Sequence, residues 1–151
     1  MYHKILLGID DSENAVRAAK KILELQKLNN SEVVAFHSVL HHISEMSPNF
    51  GFINPGPGII SLTVHEDFIK DGERVLETVK KLFEENGAKI ETRLVFDITP
   101  EDYIKKKVEE ENFDLVVLGS EGHHSKLTRA LMGTIPSRVI NDDAIDVLII
   151  K

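Results

Sequence analysis

Apolar and polar positions along this chain fall into two kinds of segment that alternate. Short, nearly unbroken apolar runs occur over Lys4–Ile9, Val33–Leu40, Leu115–Leu118 and Ile145–Ile150. Their brevity and their lack of alternation predict strands buried on both faces, as in a parallel sheet. Longer segments between them repeat apolar residues every three or four positions. Ala15, Ala18, Ala19, Ile22, Leu25 and Leu28 predict the buried side of one helix. Leu62, Phe68, Ile69, Val75, Leu76, Val79, Leu82 and Phe83 predict a second, over Leu62–Glu85. Leu127, Ala130, Leu131, Thr134, Ile135 and Val139 predict another, beginning at Lys126. Lys89–Phe96 mixes Glu91 and Arg93 with Ile90, Leu94, Val95 and Phe96, which suits a more exposed strand near a sheet edge.

Boundary residues agree with these elements. Ser12 is a candidate N-cap, with Glu13 adding negative charge to the first turn. Asn29-Asn30 and Asn86-Gly87 are stops, since both tolerate left-handed geometry. Thr99-Pro100 is a helix start, with Thr99 as cap and proline at the first helical position. The helix that follows, Glu101–Glu111, carries Lys105-Lys106-Lys107 and Glu109-Glu110-Glu111, most simply a solvated face. His41–Ile60 holds three prolines and three glycines and predicts a mobile loop, long enough to be a cover over a site or an insertion with no role.

Strand and helix in alternation predict one α/β domain over residues 1–151, with its long loop at about 41–61. The architecture is a three-layer open parallel sheet of five strands with helices on both faces and right-handed crossovers. Ligands of such sheets sit beyond the carboxyl ends of the strands. Asp10 and Gly119 occupy such ends, and they face each other if the first and fourth strands are neighbours. The turn Gly119-Ser120-Glu121-Gly122 between strand and helix has the makings of an anion site: glycine permits close approach, and a helix start offers free N–H groups. Neither G-x-x-x-x-G-K-[ST] nor G-x-G-x-x-G after the first strand is present.

Composition narrows the function. A net charge of −7 argues against a nucleic-acid partner. No apolar run approaches about 18 residues, so a membrane span is not expected, and a cytoplasmic location is. With no cysteine, thiol catalysis and disulfides are excluded. His41-His42 point apart on a regular strand, so shared metal ligation there is awkward. His123 and His124, in the glycine turn, are better placed, to meet a phosphate. Asp10-Asp11 with Asp97 admits a phospho-acceptor receiver reading, although such domains place a lysine and a further helix after the fifth strand, where this sequence reaches Lys151. No nucleophile elbow or H-E-x-x-H occurs. The chain reads as a binding module rather than an efficient enzyme, with slow ATP hydrolysis as the upper bound.

From end to end, the opening KILLGIDDSE, the strand VVAFHSV, the long loop and GSEG…GTIPSRVI before a terminal strand resemble the universal stress protein family. ATP-binding members carry G-x-x-G, nine residues, then G-[ST]. Gly119-Ser120-Glu121-Gly122 and Gly133-Thr134 match both ends, with a spacer, His123–Met132, one residue longer. The resemblance implies the adenine nucleotide alpha hydrolase-like, Rossmann-like fold with strand order 3-2-1-4-5. It implies that Asp10 holds the ribose, Ile9 lies along the adenosine, and Ser38 meets adenine through its backbone. Leu118 and Gly119 would pack on the ribose, and Gly122 would open the loop to the phosphates. Gly133, Thr134 and Ile135 would offer donors to them. ATP, ADP or AMP is the implied ligand, with Mg2+ held through the phosphates. The terminal strand Ile145–Ile150 is the implied homodimer contact. The competing reading is a dimer of the same type that binds no nucleotide and acts through protein partners.

Overall fold

The computed structural model describes residues 1–40, 59–120 and 145–151, with side chains in the second helix described from Glu66 on. Its elements are β1 (Lys4–Gly8), α1 (Glu13–Asn29), β2 (Glu32–Val39), α2 (Ile59–Glu85), β3 (Glu91–Phe96), α3 (Pro100–Glu111), β4 (Leu115–Gly119) and β5 (Asp146–Ile150). Every ladder is parallel, and the strand order is β3-β2-β1-β4-β5. Successive side chains on a strand point to opposite faces. Ile5, Leu7 and Ile9, with Val33, Ala35, Leu115 and Val117, therefore face one side. They meet Ala15, Ala18, Ala19 and Ile22 of α1 and Val75, Leu76, Val79 and Phe83 of α2. Leu6, Val34, Phe36, Val116 and Leu118 face the other side and meet Tyr103 and Ile104 of α3. A strand buried on both faces has no polar alternation to show.

The predicted caps form. Ser12 has extended backbone, and its Oγ accepts from the Ala15 N–H at 3.1 Å. Thr99 Oγ1 accepts from the Asp102 N–H at 3.2 Å, with Pro100 opening α3. Asn30 is left-handed (φ 55°), and its N–H donates to Gln26 O at 2.7 Å. After α2, Gly87 is also left-handed (φ 70°). Its N–H donates to Glu84 O and that of Ala88 to Phe83 O, both at 3.0 Å, closing the helix as a Schellman turn.

Several expectations shift. The first strand ends at Gly8 rather than Ile9, and α2 begins at Ile59 rather than Leu62. Leu28, assigned to the buried side of α1, is 80% exposed, because Leu23 packs inward on that stripe instead. Phe68 is also exposed. The charged face of α3 is not wholly solvated. Glu111 accepts from the Arg93 guanidinium of β3 at 2.8 and 2.9 Å, with Lys107 at 3.2 Å and Lys4 of β1 at 3.6 Å. The long loop expected before α2 and the helix expected from Lys126 lie outside the described residues, save that Ile59 and Ile60 are helical.

Candidate functional site

The register places a notch at the carboxyl edge of the sheet. Gly8, the last residue of β1, pairs with Phe36, and β2 continues through His37, Ser38 and Val39. On the other side, the last β1–β4 pair is Leu7 with Val117, and β4 continues through Leu118 and Gly119. The central strand thus stops short of both neighbours. Strands lie about 4.8 Å apart, so the gap from β2 to β4 is about 10 Å across.

The Ile9 N–H donates to Phe36 O at 2.9 Å, the last rung between β1 and β2. A continued parallel ladder would next join the Ser38 N–H to Ile9 O. Among the described residues no backbone bond joins those two groups. The Ile9 carbonyl instead meets His37 Nδ1 at 2.7 Å. A carbonyl only accepts, so Nδ1 carries the hydrogen. On the far side of β2, Val39 O accepts from the Asp97 N–H at 3.0 Å. Neighbouring residues of a strand direct their peptide groups to opposite sides. Since Val39 serves β3, the N–H and C=O of Ser38 are directed toward β1, into the notch. The Ser38 hydroxyl is spent elsewhere, donating to Ile98 O.

The floor and far wall come from β1, α1 and β4. Asp10 follows the floor, and its Oδ1 accepts from the Ser12 N–H at 3.0 Å. Ser12 in turn caps α1, so one short turn both ends the strand and starts the helix. The second carboxylate oxygen of Asp10 has no partner among the described residues. Leu118 lies over Gly8: a Cβ there would stand 2.6 Å from Leu118 Cδ2. Gly119 rests on the start of α1, and beside it Asn14 Nδ2 donates to Ser120 Oγ at 3.1 Å. The Ser120 N–H donates to Ile150 O at 2.8 Å and fixes this wall to β5.

Ile9, Asp10, Ser38, Leu118 and Gly119 therefore surround one notch, with Asp10 and Gly119 brought to it by the neighbouring strands β1 and β4. Gly122, His123, Gly133, Thr134 and Ile135 lie outside the described residues. The receiver reading loses its geometry: Asp97 follows edge strand β3, which β2 separates from β1 and Asp10. Among the described residues no three His, Asp or Glu side chains gather to hold a metal, and no helix is long and apolar enough to cross a membrane. Sequence reading missed His37 as a partner of Ile9 and Asn14 as a partner of Ser120. Both contacts depend on register between distant segments, which spacing along the chain does not reveal.

The family model described as the universal stress protein family matches residues 1–151. Universal stress protein MJ0531 of Methanocaldococcus jannaschii is 32% identical over 151 residues, spanning 100% of this chain and 83% of that protein. The solved structure of MJ0577, a universal stress protein of the same organism, has a TM-score of 0.75 at 27% identity and covers 100% of this chain and 96% of its own. The universal stress protein of Archaeoglobus fulgidus, solved in complex with dAMP, has a TM-score of 0.68 at 20% identity, with 99% of this chain and 98% of that chain covered. That last likeness is one of fold.

Proposed function

The chain belongs to the universal stress protein family, and we propose that it binds an adenine nucleotide in the notch where β1 stops short. One observation carries the proposal: the peptide N–H and C=O of Ser38 are directed into a gap that no ladder fills among the described residues. A donor and an acceptor side by side match the edge of adenine, which offers a ring acceptor beside an amino donor. A flat purine also fits a gap about two strand spacings wide. The second carboxylate oxygen of Asp10, without a partner among the described residues, is the acceptor suited to a ribose hydroxyl, with Leu118 and Gly119 against the sugar. The Archaeoglobus relative was solved with dAMP, which supports the same ligand class here.

In this reading the phosphates extend toward Gly122, His123, Gly133, Thr134 and Ile135, with any Mg2+ held by the phosphates. Two copies pair through Ile145–Ile150, and nucleotide occupancy gates what the dimer does. The test is calorimetric titration with AMP, ADP and ATP, with and without Mg2+, against wild type and Asp10→Ala. We expect saturable adenine-nucleotide binding. The substitution should weaken it about 10–100-fold, the size of a lost hydrogen bond to a charged group. Binding of guanine and adenine nucleotides alike, or unchanged affinity in Asp10→Ala, would overturn the assignment.

A further inference from the structure

We propose that His37 is a positioning residue that holds the nucleotide notch open by removing the Ile9 carbonyl from the β1–β2 ladder. The inference rests on the reading that a base edge docks on Ser38. Its physical content is a competition. The Ile9 N–H makes the last rung, and the Ile9 carbonyl would make the next, with the Ser38 N–H as its regular partner. Ladder bonds lie in the plane of the sheet. His37, two residues from Ala35 and Val39 along β2, directs its ring to the face covered by α1 and α2. A carbonyl that meets this ring at 2.7 Å is drawn toward that face, away from the Ser38 N–H. The side chain of one residue thereby leaves the peptide group of the next available to a ligand.

The ring is braced from its other side. Gly72, buried within α2, has no Cβ; one there would stand 2.8 Å from His37 Cδ2, 3.4 Å from Nε2 and 2.7 Å from Leu94 Cδ1. Glycine inside a helix costs about 1 kcal/mol relative to alanine. Here it lets α2 close directly on the imidazole. The backbone of α2 and the Ile9 carbonyl grip the ring between them, which sets its orientation and points Nδ1 at β1.

Three variants and two readouts test this. His37→Leu removes the donor. His37→Asn keeps an N–H donor close to where Nδ1 stands. Gly72→Ala leaves His37 in place and presses a methyl against its ring. The readouts are the exchange rate of the Ser38 amide, followed by NMR in the nucleotide-free protein, and AMP affinity by calorimetry. In His37→Leu and Gly72→Ala the freed carbonyl should take the Ser38 N–H. Exchange of that amide should then slow at least about tenfold, and AMP affinity should fall at least about tenfold, the scale of one net hydrogen bond. His37→Asn should resemble wild type in both. A residue that only fills space would lower the melting temperature in all three variants without moving the Ser38 amide. Unchanged Ser38 exchange in both His37→Leu and Gly72→Ala would overturn the proposal, as would failure of His37→Asn to restore it. A wild type that binds no AMP, yet shows the expected Ser38 pattern, would sink the nucleotide reading and leave the ladder device standing.

Discussion

A Cβ on Gly119 would stand 3.2 Å from the Ala15 amide nitrogen and 3.2 Å from Asn14 Cβ, so the end of β4 touches the backbone of α1 directly. Backbone in a capped first turn yields less than the tip of a side chain, and the Ser12 cap depends on that turn. Gly119→Val should therefore destabilise the fold by about 1–3 kcal/mol, the usual cost of overpacking, and weaken AMP binding by moving α1 away from Asp10. Urea unfolding should show a lower midpoint at unchanged slope; an unaltered midpoint would mean the turn gives way freely. Single positions were legible in the sequence where their chemistry is local. Ser12, Thr99, Asn30 and Gly87 act on peptide groups within five residues, and each takes its expected part. His37 was not, because its partner Ile9 is 28 residues away and meets it only through the parallel register.

The limit of sequence reading is plain on α3 as an element. Its run of charges looks like a solvated face, and Lys105, Lys106 and Glu109 are indeed exposed. Glu111 and Lys107, however, sit four residues apart on the side that overhangs the sheet, each with a side chain only 23% exposed. Arg93 reaches Glu111 from β3 with both terminal nitrogens, and Lys4 reaches it from β1. A helix, an edge strand and the central strand are tied at one carboxylate. Charge patterns identify such residues as charged but cannot name partners on other elements. The Arg93 guanidinium, more than Lys107, holds the Glu111 carboxyl down at about 2, against 4.5 for the free side chain. A carboxyl lowered by folding stabilises the native state fully above its unfolded value and loses that contribution as pH falls through the folded one. Wild type should lose stability progressively from about pH 4.5 to about pH 2. Glu111→Gln should be less stable at pH 7 by about 1–2 kcal/mol, reduced by partial exposure, and should show a flatter acid limb. Urea midpoints at pH 7, 4 and 2.5 decide it: parallel curves for the two proteins would rule the network out.

Among the described residues the strand order leaves two sheet edges, β3 and β5, and they differ in a way that bears on the whole molecule. The β3 edge carries Glu91 and Arg93, charges of the kind that discourage strand addition. The β5 edge reads DVLII, and its one charge, Asp146, already accepts from the Tyr2 hydroxyl at 2.9 Å. Leu148, at the centre of β5, is 38% exposed. Antiparallel pairing of β5 with its own copy would join two sheets around a twofold axis and bury that leucine. We therefore expect a dimer at micromolar concentration by sedimentation, and dissociation at least about 30-fold easier in Leu148→Lys, the cost of a charge at an interface centre. A monomeric wild type would rule out pairing. The same variant tests gating. The notch is centred on β1, and β4 separates it from β5, so Leu148→Lys leaves the contacts around Ser38 and Asp10 in place. Coupling between two sites is reciprocal: if AMP tightens the dimer by some factor, dimerisation must tighten AMP by the same factor. The wall at Ser120, bonded to Ile150 of β5, is a physical route for that coupling. A gated dimer should thus lose AMP affinity in Leu148→Lys by the factor by which AMP strengthens wild-type association. Equal AMP affinity in dimer and monomer would leave a nucleotide binder whose assembly is independent of its ligand.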